Sequence, residues 1–313
     1  MRATLAITLA SLFLGCERHP SPPVAPASVP AQLDKLSRRG SASVPDIIQQ
    51  LHAGDDANLT WPETVERSAD YRKFHTLRAA LIALLGDIGG EEAMAYLREL
   101  IATTRDPLEV ALAGRFLEER EPGRHREMLV TSARTLLAGI PADATPLLQL
   151  LALYGGRQAV ADIEAFVQHS PAQAAAAMTA LTLLRRDGGD LSLVNWWRRP
   201  DVATETRSQL AYALGVVAPD STIARDTLRQ IIATSNDSRL CEQALLGLAT
   251  GESFLDERLL PREMTVMARP HSKWLTARLE VLDALETSKL SAPANDQVQK
   301  VRDELLEDLE RTQ

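Results

Sequence analysis

The sequence predicts an all-α protein, a solenoid of stacked helix pairs, and three observations carry that prediction. Aromatic residues make up only 4% of the chain, while Leu and Ala recur throughout, which suits closely packed helices better than strands built on aromatic and β-branched side chains. Turn-forming residues return at a nearly fixed interval: Gly90, Gly123, Gly156, Gly189, Pro219 and Gly251 follow one another at spacings of 33, 33, 33, 30 and 32 residues. Six residues before each stand Leu84, Leu117, Leu150, Leu183, Ala213 and Leu245. An apolar position in phase with a turn over this period is the signature of repeated supersecondary units, each too small to bury its own apolar faces.

A second set of breakers, Asp106-Pro107, Pro141, Pro171, Pro200, Asn236-Asp237-Ser238 and Pro270, alternates with the first. Proline cannot continue a helix, and Asn, Asp and Ser favour local turn bonds, so each unit reads as helix, turn, helix, turn. The first helices share a motif. Residues 77–86, 206–215 and 238–247 align so that Arg78, Arg207 and Arg239 are each followed seven residues later by Leu and eight later by Gly. The central units depart from it, with Ala111, Ala144 and Ala177 in the Arg column and Glu119, Ala152 and Arg185 in the Gly column. The second helices carry stripes of their own, such as Leu97, Leu100 and Ile101, or Val160, Ile163 and Val167.

These columns resemble HEAT repeats of the short bacterial kind, and the resemblance covers residues 77–272. Tetratricopeptide repeats have a similar length, but their Trp, Tyr and Phe positions are not filled consistently here. At the N-terminal end of the array, Ile47, Ile48 and Leu51 predict a first amphipathic turn or two, followed by a less regular stretch up to Ala69 and the first clear repeat. Behind it, residues 291–313 predict a capping helix that begins at Asn295 or Asp296. Its buried side is Val298, Val301, Leu305 and Leu309, and its acidic outer face stays wet. The array proper spans residues 43–290.

The N-terminus has a different character. Arg2 precedes an uncharged, mostly apolar run over residues 3–15, too short to cross a bilayer but right for the apolar region of an export signal. The run ends in Phe13-Leu14-Gly15-Cys16, which resembles the lipobox of bacterial lipoproteins, with Phe13 standing where Leu is the common residue. That resemblance implies that residues 1–15 are removed and that the Cys16 thiol receives a diacylglyceryl group. It also implies acylation of the new amino group, and several chains together make a stable anchor. Glu17 in place of Asp favours the outer membrane of a Gram-negative envelope. Residues 16–42, with Pro20, Pro22, Pro23, Pro26 and Pro30 among small residues, read as a tether. An ordinary cleaved signal containing a Cys and an uncleaved anchor are the other readings of the leader.

Charge and motifs narrow the function. With 34 basic against 42 acidic side chains and a net charge of -8, the chain has no basic footprint for nucleic acid. The six His residues are scattered, and none forms a His-Glu-x-x-His or joins a Cys-x-x-Cys arrangement. There is no Gly-x-Ser-x-Gly elbow, no phosphate-binding loop and no Ser-x-x-Lys. Glu91-Glu92 reads as a solvated helix start, and the neighbours Glu118 and Glu119 diverge on a helix. Cys241 shares a face with Ala244, Leu245 and Leu248 and reads as a core thiol.

The expectation is therefore a non-enzymatic, membrane-anchored scaffold or adaptor for another protein of the bacterial cell envelope. It needs no metal and no cofactor beyond the covalent lipid on Cys16. In HEAT arrays second helices usually line the concave face, which points to Tyr96, Glu99, Glu164, Arg225 and Arg229 as contacts. The string Asn195-Trp196-Trp197-Arg198-Arg199-Pro200 adds Trp196, Trp197, Arg198 and Arg199, residue types enriched at binding hot spots. Two alternatives stand beside it: an envelope enzyme or ligand receptor with a site formed by distant loops, and a soluble TPR-like or HEAT-like adaptor without lipid.

Overall fold

The computed structural model describes residues 26, 28–61, 69–234, 237–251, 256–262, 272–285 and 290–312. Cys16, the leader and Pro20 to Pro23 lie outside the described residues. Among those described, the chain is helical, and its β content is an isolated antiparallel bridge between Asn58 and Thr76. The all-α expectation holds. The chain divides into two compact units, Met1–Ile88 and Gly89–Gln313. That division falls at a Gly-Gly turn inside what the repeat reads as its first helix pair.

The first unit contains α1 (Ser28–Arg39), α2 (Val44–Ala53) and α3 (Leu77–Ile88). Helix α1 lies inside the stretch assigned to the tether, because Leu33 and Leu36 sit three apart and both bury, while Pro30 falls in the first turn where its missing N–H costs nothing. Asp34 of α1 accepts hydrogen bonds from the Tyr71 hydroxyl at 2.9 Å and the Arg72 guanidinium at 3.0 Å. The Trp61 indole donates to the Phe74 carbonyl at 2.8 Å, pinning the irregular stretch that follows α2. Helix α3 is buried from Ala79 through Gly86. A helix with no polar face belongs at the centre of its unit. Arg78 at its start donates to the Leu51 carbonyl at the end of α2, at 2.8 Å.

The second unit runs through α4 (Glu91–Thr103), α5 (Pro107–Arg120), α6 (Arg126–Leu137), α7 (Thr145–Tyr154), α8 (Gly156–His169), α9 (Ala174–Leu183), α10 (Gly189–Arg198), α11 (Thr204–Val217), α12 (Thr222–Thr234), α13 (Ser238–Thr250), α14 (Ser272–Asp283) and α15 (Ala292–Thr312). Helices α5, α7, α9, α11 and α13 pack successively against one another, and α6, α8, α10 and α12 each lie against the two odd helices that flank them in sequence. Burial separates the two rows. In α7 residues 146–152 are all buried, whereas α12 buries one stripe, Ala224, Thr227, Leu228, Ile231 and Ile232. The odd row is covered on more than one side, and the even row faces water with its other half.

Most breakers among the described residues stand at turns, while Asn236 and Pro270 lie outside the described residues. Asp106 and Asp237 accept from backbone N–H groups in the first turns of α5 and α13. Gly90, Gly123, Gly156 and Gly251 take positive φ at the turns. One column shifts: α9 stops at Leu183, the left-handed residue of its turn is Gly188, and Leu181 and Leu184 bury while Leu183 is only half-buried. A second correction concerns the cap. Helix α15 starts at Ala292, so Asn295 and Asp296 lie inside it, and the Ser291 hydroxyl accepts from the Ala294 N–H at 3.4 Å. Val298 and Leu305 are buried as expected, while Val301 and Leu309 are half-buried.

The repeat also expects a second helix between Gly251 and Pro270. Most of that stretch lies outside the described residues, and its described part, residues 256–262, holds a short 3-10 turn, Glu257–Leu259, seated on α5 and α7.

Candidate functional site

The residues from α8 to α11 form a groove of about 580 Å³. Glu164, Val167 and Gln168 come from α8, Pro171 and Ala174 from the start of the next helix, Trp196 from the end of α10, and Arg199, Asp201, Val202, Thr206 and Leu210 from the link into α11 and its first turns. The local sequence explains this opening. Helix α10 ends ahead of Pro200, and its last carbonyls need donors from elsewhere. Arg207, one turn into α11, supplies them, donating to the Arg199 carbonyl at 2.7 Å and the Trp197 carbonyl at 3.3 Å. Its guanidinium carbon stands 5.5 Å from the centre of the Trp197 ring, so the same cation also covers that indole.

At the rim, Arg199 holds Asp201 through two hydrogen bonds of 2.8 and 3.2 Å. That bond, aided by the Asp201 backbone N–H, holds the Asp201 carboxyl below its ordinary range. Glu164 accepts from the Ser192 hydroxyl of α10 at 2.5 Å, which ties α8 to α10 across the floor. An equivalent tie joins the preceding pair, where Arg134 of α6 meets Asp162 of α8 at 2.7 Å. Glu164 is thus a structural link as well as a lining residue.

Of the residues singled out in the sequence, the groove gathers Glu164, Trp196 and Arg199. Trp197 is half-buried beneath Arg207, and Arg198 is exposed beside it. The others lie apart. Tyr96 is turned inward at 7% exposure, because it falls on the α4 stripe with Ala93, Leu97 and Leu100 rather than on its outer face. Glu99 is exposed. Arg225 donates to the Ala218 and Pro219 carbonyls and closes the turn before α12. Arg229 pairs with Asp226 at 3.3 Å. Cys241 is buried, and burial pushes its thiol pKa up.

A second, more open groove of about 680 Å³ lies between α4 and α6, with Arg105, Arg124, Glu127 and Met128 along it. Among the described residues no group of three or more His, Cys, Asp or Glu side chains is placed to hold a metal ion, and no helix is long and apolar enough to cross a membrane.

Sequence reasoning passed over Arg115 and Gln149, both buried on the odd row, and the segment 256–262 that meets them. Weak signals existed. Gln149 interrupts the run Leu147-Leu148-Gln149-Leu150-Leu151, and Arg115 stands four residues before Glu119. The neighbours Glu118 and Glu119 do diverge. Glu118 accepts from the Gly123 and His125 N–H groups, and Glu119 pairs with Arg115 at 2.9 Å.

The fold and the groove together define an all-helical protein of paired helices with a Trp- and Arg-bearing cleft between successive pairs. No protein-family model, curated protein or solved structure matches the chain.

Proposed function

We propose that this chain is an interaction scaffold of the bacterial cell envelope: a HEAT-like α-solenoid held to the membrane through lipid on Cys16, in the outer membrane facing the periplasm, that docks another protein. The observation carrying this reading is the groove in which Trp196, Arg199 and Glu164 meet between successive helix pairs. An indole and a guanidinium at the edge of a cleft lined in part by Val167, Pro171, Val202 and Leu210 supply contact area and directed hydrogen bonds, a combination enriched where binding energy concentrates. Val167, Trp196 and Val202 offer an apolar seat for one inserted side chain of the partner. Asp201 preorders the Arg199 guanidinium at the rim, which lowers the entropy lost on contact.

A photo-crosslinking residue in place of Gln168, an exposed position on the groove, tests the proposal in intact cells. The expected result is one reproducible adduct that falls at least about tenfold when Trp196→Ala and Arg199→Ala are combined, as for a hot-spot pair. An adduct indifferent to those substitutions, or none at all, overturns the assignment of this groove.

A further inference from the structure

Helices α5 and α7 carry two polar side chains that are almost wholly buried, Arg115 at 2% exposure and Gln149 at 1%. Burying such groups is costly unless their donors and acceptors are met. Main-chain atoms of a segment more than a hundred residues away meet them. The Gln149 side-chain amide donates to the Asp256 carbonyl at 3.0 Å and accepts from the Asp256 N–H at 3.3 Å, so one primary amide pairs with both backbone groups of one residue. Arg115 Nη1 donates to the Arg258 carbonyl at 2.6 Å, while its Nε is held by Glu119 at 2.9 Å. Glu119 also accepts from the Arg262 N–H at 2.9 Å. Leu259 and Leu260 are buried between these polar contacts.

The segment is shaped for this seat by its own residues. The Asp256 carboxylate accepts from the Arg258 N–H at 3.0 Å and from its guanidinium at 2.8 and 2.7 Å, which closes the 3-10 turn and presents two leucines on one side. Recognition of main-chain atoms by Gln, Arg and Glu side chains does not require that the main chain belong to the same molecule. A face with fixed polar side chains for main-chain atoms and room for two buried leucines has the elements that recognition of a short peptide requires.

We propose that the face of α5 and α7 is a peptide-binding site occupied in cis by residues 256–262, and that its ligand class is a short segment forming an Asp-x-Arg-Leu-Leu turn. The internal segment is then a tethered competitor that a partner segment of the same chemistry displaces. The proposal is independent of the anchor and of the Trp196 groove.

The test uses the full-length chain and a labelled, end-capped peptide with the sequence of residues 256–262. Wild-type protein should bind it weakly, because the tethered copy acts at an effective concentration on the order of millimolar. Combining Leu259→Ser and Leu260→Ser loosens the cis segment and should tighten binding of the peptide at least about tenfold. Adding Gln149→Leu should abolish that gain. Folded loosened protein that binds no better than wild type overturns the proposal, as does binding indifferent to Gln149→Leu. Should the loosened variant lose its cooperative melting transition, added peptide must restore it in a concentration-dependent way. Failure of that rescue also overturns the proposal. A milder variant, Arg262→Ala, removes an exposed side chain near Glu119 and should raise peptide affinity by a smaller factor.

Discussion

Asp201 and Cys241 show opposite uses of the same physics. The carboxyl of Asp201 is stabilised in its charged form by the Arg199 hydrogen bonds, so its titration should fall below the unperturbed 3.8 in the folded protein. A depressed folded-state pKa means that the link is present at and above the ordinary carboxylate range and is lost as pH falls through the lowered value. Carbon-detected NMR of the Asp201 carboxyl should show a midpoint below the ordinary carboxylate range that moves back up into it in Arg199→Ala. The thiol of Cys241 is pushed the other way, because burial disfavours its thiolate. Labelling with a thiol reagent at pH 8 should be slow in the native protein and rise sharply once urea unfolds it. Fast native labelling would place the thiol in a solvent-reachable setting instead.

Among the elements, the tightest seam lies between α11 and α13. A Cβ at Gly215 would stand 2.1 Å from the Ala244 carbonyl, and one at Gly247 would stand 2.0 Å from the Tyr212 carbonyl. Two backbones have no side chain to move aside, so Gly215→Ala or Gly247→Ala forces the helices apart and should cost about 1–3 kcal/mol or more. Gly114→Ala meets a different obstacle, the end of the flexible Leu129 side chain at 2.7 Å, and should be milder. Urea denaturation of the three variants gives the order directly. The Gly column aligned in the sequence at positions 86, 215 and 247 therefore has a steric reason at the last two. The Arg column has a hydrogen-bonding reason: Arg78 and Arg207 donate to carbonyls at the ends of α2 and α10, and Arg239 meets both carboxylate oxygens of Glu205 in the first turn of α11.

For the molecule as a whole, the proposed anchor makes a prediction that the folded part does not share. Cys16→Ser should abolish incorporation of labelled palmitate and move the protein from the membrane to the soluble fraction. It should leave the melting temperature of the helical units unchanged. Continued palmitate labelling of that variant would rule out Cys16 as the lipid site. Residues 16–42 cannot all serve as spacer, because Leu33 and Leu36 of α1 are core residues of the first unit.

The sequence by itself determined the helical class, the alternation of helices and turns among the described residues, and the places of most of those turns. Those properties depend on near neighbours: Pro and Gly break helices where they stand, and Leu at helical spacing selects a buried face. It also marked the Trp196 string, of which Trp196 and Arg199 reach the groove together with Glu164. Tertiary structure decided the rest. It turned Tyr96 inward, shifted the burial of the fourth unit from Leu183 to Leu181 and Leu184, and brought residues 256–262 back onto Arg115 and Gln149. Pairing across more than a hundred residues leaves no periodic trace in a chain, because it depends on how the helices stack and not on what any helix prefers alone.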